Sequence, residues 1–228
     1  MTMTIPFPAR SGRADPGPPA PCPPTLSEAF PDSALDPGPI GFVLAALPRG
    51  PKPVLWVQDH ATARESGVPY ALGLPIRVIH VRASNAADAL MAIETGLACA
   101  ALGAVIGEIW GAPKRLDFTA TKRLALRAEA AALPCWLLRR GFGTETPDLS
   151  AARQRWRIAS LPSRPDPWDA DAPGDPRWRA ALFRSRLSPP GTWDATHDRA
   201  ADRLDLAPPA GDRAVVADAG ARPRRAAG

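Results

Sequence analysis

The sequence is poor in the residues that build disulfide frameworks and metal sites. It has 3 cysteines and 3 histidines in 228 residues, with no CxxC pair. These residues are Cys22, Cys99, Cys135, His60, His80 and His197. An odd cysteine count without metal-ligand spacing predicts reduced, mostly buried thiols, and singly scattered histidines argue against a zinc site. We therefore expect no bound metal.

Long apolar runs are also missing. No segment approaches the roughly 20 apolar residues of a membrane span. The first 17 residues, MTMTIPFPARSGRADPG, have no apolar core long enough for a signal peptide. We expect a soluble, cytoplasmic chain.

Lysine is nearly absent, so arginine carries the basic character. The lysines are Lys52, Lys114 and Lys122, in a chain with 28 Lys+Arg, 23 Asp+Glu and a net charge of +5. An excess of this size is compatible with nucleic-acid binding without showing it, and the bias towards Arg, Ala and Pro is also typical of a GC-rich genome.

Proline is abundant by contrast, and its distribution divides the chain. The 29 prolines concentrate towards the two ends, in segments that donate few hydrogen bonds and bury little apolar surface. We predict a disordered Pro-rich N-terminus at residues 1–24, an α/β core at 25–150, a Trp/Arg-rich β extension at 151–196 and a disordered tail at 197–228.

The core alternates regularly between strand and helix patterns. Strands are predicted at 54–57, 76–81, 104–109 and 135–139, and helices at 62–74, 84–101 and 119–133. This alternation, with continuous apolar strands, is typical of a mainly parallel sheet flanked by helices on both faces. The predicted fold class is α/β.

Tryptophan and arginine mark the extension. The segments 154–161, 177–186 and 191–198 each contain a Trp, which predicts two or three antiparallel strands. A short helix over 177–186 is the alternative, and the Pro- and Asp-rich segment 162–175 is predicted to be an irregular loop.

A phosphate-binding loop is missing where an α/β nucleotide site requires one. The candidate segment PDSALDPGPIG (residues 31–41) has Gly38 and Gly41 but no GK[ST]. Phe42 and Val43 stand where Lys and Ser/Thr are needed, and prolines remove backbone N–H donors. We therefore expect no phosphate cradle here.

Two acids nevertheless follow the pattern of a nucleotide-hydrolysing site. Asp59 comes just after the strand at 54–57 and is placed to activate a water. Glu108 lies one residue beyond Gly107, where a metal-holding Asp is expected, and is placed to hold a metal through its bound water. The alternative is that both are ordinary polar strand ends that meet solvent.

A family resemblance brings these features together. Residues 54–109 resemble the ATPase core of RecA-type recombinases and, more closely, the ImuA proteins, the RecA-like partners in bacterial damage-induced mutagenesis cassettes. The motifs, which span roughly residues 25–195, are VLWV (54–57), Tyr70 with LGL (72–74), ETGLACAALGAVIGE (94–108), TKRLALRAE (121–129), AARQRWRIAS (151–160), PGDPRWRAALFRSR (173–186) and GTW (191–193).

The resemblance implies a RecA-like core whose catalytic elements are degenerate. Asp59 matches the water-activating acid, Gly107 or Glu108 the magnesium-associated Asp, and residues 31–41 a phosphate loop without its lysine. The loops matching the recombinase's DNA contacts, 111–118 and 140–150, are short.

The resemblance also implies a role in SOS-induced translesion DNA synthesis beside an ImuB-like polymerase subunit and an error-prone DnaE-type polymerase. We expect a non-catalytic adaptor that binds these proteins or a RecA-type recombinase and needs no cofactor. The alternatives are a single-stranded DNA-binding module and a weak ATPase that uses Asp59 and Glu108.

The Trp/Arg segments are the candidate contact surface for a partner or for DNA, because Trp and Arg dominate interface energetics. The candidates are Arg155, Trp156, Arg157, Trp178, Arg179, Arg184, Arg186 and Trp193. The alternative is that the tryptophans pack the added strands onto the core and leave the arginines in solvent.

Overall fold

The computed structural model describes residues 17–141, 149–169 and 171–209. The strands in these ranges are β1 (Leu26–Pro31), β2 (Val54–Asp59), β3 (Val78–Ala83), β4 (Ala104–Trp110), β5 (Cys135–Arg140), β6 (Gln154–Leu161), β7 (Arg177–Ser185), β8 (Gly191–Asp198) and β9 (Arg203–Ala207). The helices are α1 (Gly38–Ala46), α2 (His60–Ser66), α3 (Ala86–Leu97) and α4 (Phe118–Ala130), with a 3₁₀ turn at Ala71–Gly73.

The strands form a single nine-stranded sheet in the order β3-β2-β4-β5-β1-β6-β7-β8-β9. In this sheet order, neighbouring strands from β3 as far as β6 pair in parallel, and neighbouring strands from β6 to β9 pair antiparallel. The predicted α/β class, with a mainly parallel sheet and antiparallel C-terminal strands, is confirmed. Residues 177–185 form a strand and not the alternative helix.

The central strand β1 was not predicted. Every position of its sequence LSEAFP is buried, including Ser27 and Glu28. These two polar residues interrupt the apolar run that usually marks a buried strand, so the sequence pattern did not indicate one. It pairs with β5 on one side and β6 on the other. β1 therefore joins the parallel core to the extension.

Each face of the sheet is covered by a different set of helices. On one face, α3 and α4 bury apolar residues such as Ile93 and Leu124 against β1, β2, β4 and β5. On the other, α1 places Phe42 against the indoles of Trp136, Trp156 and Trp178 at ring-centroid distances of 6.3, 5.5 and 6.2 Å. α1 thereby ties the antiparallel strands to the core.

Ordered structure continues beyond residue 196, where the tail was predicted to begin. β8 ends at Asp198, and β9 adds five further residues. Leu204 and Leu206 alternate on one side of β9 and pack against the α1 side of the core. β9 was not predicted, because its leucines alternate with charged residues. Residues 1–16 and 210–228 of the predicted termini lie outside the described ranges.

The cysteines only partly follow the prediction of buried thiols. Cys135 lies buried in β5, where burial raises the pKa of its thiol to about 12. Burial raises the pKa of Cys22 to about 11, although a hydrogen bond from Trp136 opposes this. Cys99, just beyond α3, is exposed, so the prediction is wrong there.

No helix in the described ranges combines the length and apolar character that crossing a membrane requires.

Candidate functional site

Ligands of open parallel sheets bind at the carboxyl ends of the strands, and here that edge is formed by the ends of β1, β2, β4 and β5. The segment that would hold a phosphate, between β1 and α1, presents the carboxylate of Asp36. Its Oδ1 accepts from Gly38 N at 2.7 Å and from Ser160 Oγ at 2.6 Å, and its Oδ2 accepts from Ser160 N at 2.9 Å. The chain therefore places its own anion at the start of α1.

The electrostatics of Asp36 favour the charged form. Its partial burial opposes ionisation, but hydrogen bonds from Ser160 and Gly38 and the nearby Arg140 together lower the pKa of Asp36. Pro37 caps the helix and Pro39 follows, so neither offers an N–H to an external anion. The start of α1 thus has few free donors.

The two positions that would carry the phosphate-binding Lys and Ser/Thr have become core. Phe42 and Val43 are completely buried, and Phe42 is in the aromatic cluster under α1. Gly41 lies where a Cβ would come within 2.8 Å of the Trp178 ring. This helix is used for packing, because its inward face is filled by aromatic side chains.

Asp59 lies at the carboxyl end of β2, where the sequence placed it, and acts there as the N-cap of α2. Its Oδ1 accepts from Thr62 N at 2.8 Å, and its Oδ2 accepts from Trp110 N at 3.4 Å. The side chain is buried. Both carboxylate oxygens are used by the backbone of this chain.

Glu108 lies on β4 directly opposite Gln58 on β2. Gln58 Nε2 donates to Glu108 Oε2 and to the carbonyl oxygen of Gly67, and Gln58 Oε1 lies 2.9 Å from His80 Nε2. Glu108 Oε1 is also buried, and no described residue donates a well-formed hydrogen bond to it. Burial raises the pKa of Glu108, although the Gln58 hydrogen bond and Arg140 oppose this.

Arg140, at the end of β5, connects these groups. Its Nε and Nη2 donate to Ser66 Oγ at 3.3 and 3.2 Å, and its Nη1 donates to the Asp36 carbonyl at 3.1 Å. Arg140 is buried, and its positive charge acts to lower the pKa of both Asp36 and Glu108. For Glu108, the opposing effect of burial is larger. Arg140 therefore links the end of β5 to the last residue of α2 and to the segment before α1.

Three of the predicted contact residues are buried and do not present a surface. Trp156 is completely buried and Trp178 is 5% exposed, both against Phe42, and Arg155 is 3% exposed. The prediction is wrong for these residues, because alternation on β6 and β7 turns the tryptophans towards α1 and Arg155 to the opposite side of the sheet, where it meets Glu28 of β1. The alternative, that the tryptophans pack the extension onto the core, holds for Trp156 and Trp178.

Arg155 belongs to a buried ionic and aromatic cluster centred on Glu28. Its Nε donates to Glu28 Oε2 at 2.7 Å, and Arg139 lies 3.5 Å from Glu28 Oε1. The Arg155 guanidinium lies over Phe30 and Phe183, with 5.2 and 5.4 Å to the ring centroids. Each of these contacts is a structural reason for the arginine.

The remaining predicted contact residues lie nearer to solvent. Arg184 and Arg186 are exposed, and Arg157 and Trp193 are half-buried. Arg179 is 47% exposed and shares Asp194 with Arg177, at 3.1 and 3.5 Å. Arg157, Arg177, Arg179 and Arg184 lie on the side of β6 and β7 away from α1, which we call the open face. Trp193 packs on Trp156 on the α1 side, at a centroid distance of 6.0 Å.

Similarity to characterised proteins agrees with the resemblance noted in the motifs. The chain is 38% identical over 148 residues to Protein ImuA of Caulobacter vibrioides, from strain NA1000 / CB15N and equally from strain ATCC 19089 / CIP 103742 / CB 15. Over this region the chain is similar to ImuA. The match covers 61% of this chain and 58% of each ImuA protein, so less than two thirds of the relatives' length is represented. No protein-family model matches the chain.

Three residues that matter to this part of the fold were not predicted from the sequence. Asp36 and Arg140 make the polar contacts at the start of α1, and Glu28 is the centre of the buried cluster with Arg139 and Arg155, yet none of the three stands in a recognisable motif. Asp36 lies within the segment examined as a phosphate loop, and the combination of an acid with flanking prolines is the signal that could have identified a self-capped helix. Arg140 and Glu28 gave no such signal, because their partners are far away in sequence.

Proposed function

We propose that this chain, which is similar to ImuA, is a non-catalytic accessory protein of SOS-induced, error-prone translesion DNA synthesis. It acts as an adaptor that binds an ImuB-like polymerase subunit, an error-prone DnaE-type polymerase or a RecA-type recombinase. Its relationship to ImuA supports this role, and so does a sheet that keeps the layout of a nucleotide-binding core without a phosphate loop.

The proposed core is RecA-like and degenerate. A central β1 leads through a loop into α1, Asp59 ends β2 and Glu108 lies near the end of β4, which resembles the layout that a nucleotide site of this class uses. The acids themselves are bound internally: Asp59 caps α2, and Glu108 pairs with Gln58.

The observation that carries the proposal is the carboxylate of Asp36 at the N-terminus of α1. Helix N-termini attract anions, and a phosphate loop uses this position for the nucleotide. Here an internal carboxylate takes the donors of Gly38 and Ser160. An incoming phosphate would have to displace it and would meet its negative charge.

Calorimetric titration of the full chain with magnesium-ATP tests this step. A ligand that binds only the folded state raises Tm by mass action, so a rise in Tm reports binding. The proposal predicts no heat of binding and no rise in Tm at millimolar nucleotide. The weak-ATPase alternative instead requires binding that is lost in Asp59→Asn. This variant is preferable to Asp59→Ala because an Asn side chain can still cap α2.

The adaptor role needs a surface, and we propose the exposed arginines of β7 and its following turn, Arg179, Arg184 and Arg186. Arginine is enriched among residues that dominate interface energies. We expect Arg184→Ala with Arg186→Ala to weaken binding to the polymerase subunit or recombinase about tenfold. Arg203→Ala is the matched control, because Arg203 is an exposed arginine paired locally with Asp205.

Single-stranded DNA binding is the second candidate function, favoured by one observation on the open face. Phe183 is 37% exposed there and lies 6.0 Å from the Arg157 guanidinium, next to Arg184. Exposed aromatic rings beside arginines stack bases and contact phosphates. Fluorescence anisotropy with an oligothymidylate should then show binding that falls with salt, with a slope reduced by about 1 in Arg184→Ala.

A further inference from the structure

The segment between β6 and β7 presents an indole to solvent. Trp168 is 95% exposed, more than any other large apolar side chain in the described ranges. It lies in the segment that joins β6 to β7, of which residues 162–169 and 171–175 are described, and which we call the Trp168 loop. Burying an indole is strongly favourable, so an indole left in solvent on a well-held loop has no role in the fold.

The Trp168 loop is closed by backbone contacts at its base. Pro165 and Pro173 form an isolated antiparallel bridge. Arg164 N donates to the Asp175 carbonyl at 3.1 Å, and Gly174 N donates to the Arg164 carbonyl at 2.9 Å. A Cβ on Gly174 would lie 2.4 Å from the Arg164 oxygen, so this close approach requires glycine.

Side chains hold the loop at two further points. Arg199, which follows β8, contacts the Asp175 carboxylate at 3.4 Å, the Pro173 carbonyl at 3.3 Å and Asp166 at 3.9 Å. Asp166 Oδ1 accepts from the backbone N–H of Trp168 at 2.9 Å and of Asp169 at 3.3 Å. The loop thus holds the backbone of Trp168 in place before any partner arrives, which lowers the entropy cost of binding.

The charge of the loop selects the class of partner. It contains one arginine and four aspartates, Arg164, Asp166, Asp169, Asp171 and Asp175, a net charge of −3 in a chain of net charge +5. Asp166 and Asp175 face Arg199, whereas Asp169 and Asp171 form no ion pair with the described residues. The net negative charge of the loop repels nucleic-acid phosphates, so stacking on a base is disfavoured and a cationic protein surface is favoured.

We propose that Trp168 is the anchor of a second interaction surface, and that it inserts into an apolar pocket rimmed by Lys or Arg on a protein partner. This inference rests on the proposed adaptor function and supplies a contact separate from the arginines of β7. Asp169 and Asp171, which follow Trp168 closely in the sequence, supply the negative charge that complements the basic rim. Proteins that lack such a rim are not bound through this loop.

Binding of the full chain to the purified polymerase subunit and to the purified recombinase tests the inference. Trp168→Ala should weaken binding to one of them tenfold or more, as expected for a central aromatic anchor. Asp171→Asn should weaken it severalfold at low salt and less at high salt. Leu72→Ala is the matched control, because Leu72 is also an exposed apolar side chain, 88% accessible, in the 3₁₀ turn at Ala71–Gly73.

The outcomes separate this inference from the proposed function. If the parent chain binds a partner and Trp168→Ala binds equally well with an unchanged Tm, the Trp168 inference is wrong and the adaptor role stands. If the parent chain binds neither protein, both fail. Loss of oligothymidylate binding in Trp168→Ala, with protein binding intact, would assign the indole to nucleic acid and also overturn the inference.

Discussion

Arg155 Nε donates to Glu28 Oε2 across 2.7 Å, and both side chains are almost completely shielded from solvent. The pair links β6 to β1, the junction between the parallel core and the antiparallel extension. An arginine that looked like a contact residue in the sequence is therefore part of the interior.

Removing this arginine should destabilise the fold rather than affect binding alone. Arg155→Ala leaves Glu28 as a buried charge that keeps only the longer contact to Arg139, and breaking such a pair costs about 3–5 kcal/mol. Urea unfolding should show that loss. Arg184→Ala, at an exposed position without a described ion pair, should stay within about 0.5 kcal/mol; equal effects would contradict the assignment.

The tryptophans should divide in the same way. Trp156→Ala empties the centre of the aromatic cluster under α1, where its indole also donates to Gln154 at 3.3 Å. We expect a loss of about 3–5 kcal/mol. Trp168→Ala should leave stability nearly unchanged. Thermal or denaturant unfolding of the two variants side by side tests this, and comparable losses would argue against the described burial.

Asp59 should behave as a helix cap. Asp59→Ala removes the acceptor for Thr62 N and should cost about 0.5–2 kcal/mol. Asp59→Asn keeps an oxygen at that place and should retain most of the stability. A loss as large in Asp59→Asn as in Asp59→Ala, measured as Tm, would mean that the negative charge and not the cap matters.

Glu108 predicts a specific pH dependence. Burial raises the pKa of the Glu108 carboxyl in the folded state. As the pH rises above the ordinary glutamate value of 4.5, the unfolded chain therefore loses the carboxyl proton at a lower pH than the folded chain does. The contribution of Glu108 to stability therefore decreases as the pH rises from that value to the higher pKa of the folded state. Glu108→Gln does not titrate, so it should gain stability relative to the parent at pH 7 and lose that advantage at pH 4.

Glu129 supplies a control of opposite sign. Its hydrogen bond from Arg153 lowers the pKa of Glu129, so its stabilising effect is present at neutral pH and disappears as pH falls below 4.5. Glu129→Gln should be less stable than the parent at pH 7 and similar at pH 3. Unfolding curves at the two ends of the pH range check both variants, and differences independent of pH would contradict the assigned shifts.

The sequence was sufficient for most parallel strands because they are apolar on both faces. β2, β4 and β5 read as continuous buried runs, with Asp59 as the last residue of β2 and Glu108 within β4, just before its end. β1 escaped because Glu28 interrupts its apolar pattern, and its partners Arg139 and Arg155 lie more than 100 positions away.

The orientation of the extension could not be predicted from alternation alone. A Trp/Arg alternation on β6 and β7 indicates a strand but does not say which face is buried. Phe42 on α1 decides this by packing against Trp156 and Trp178. Similarly, the role of Asp36 depends on Ser160, 124 positions further along, a contact that only the folded sheet creates.

The most direct test of the account is the affinity of the full chain for the ImuB-like polymerase subunit and for the recombinase, measured with and without magnesium-ATP. A nucleotide-independent adaptor predicts binding to at least one of them with the same Kd in both conditions, since Asp36 already fills the start of α1. Binding to neither protein, or binding that appears only with nucleotide, would contradict it.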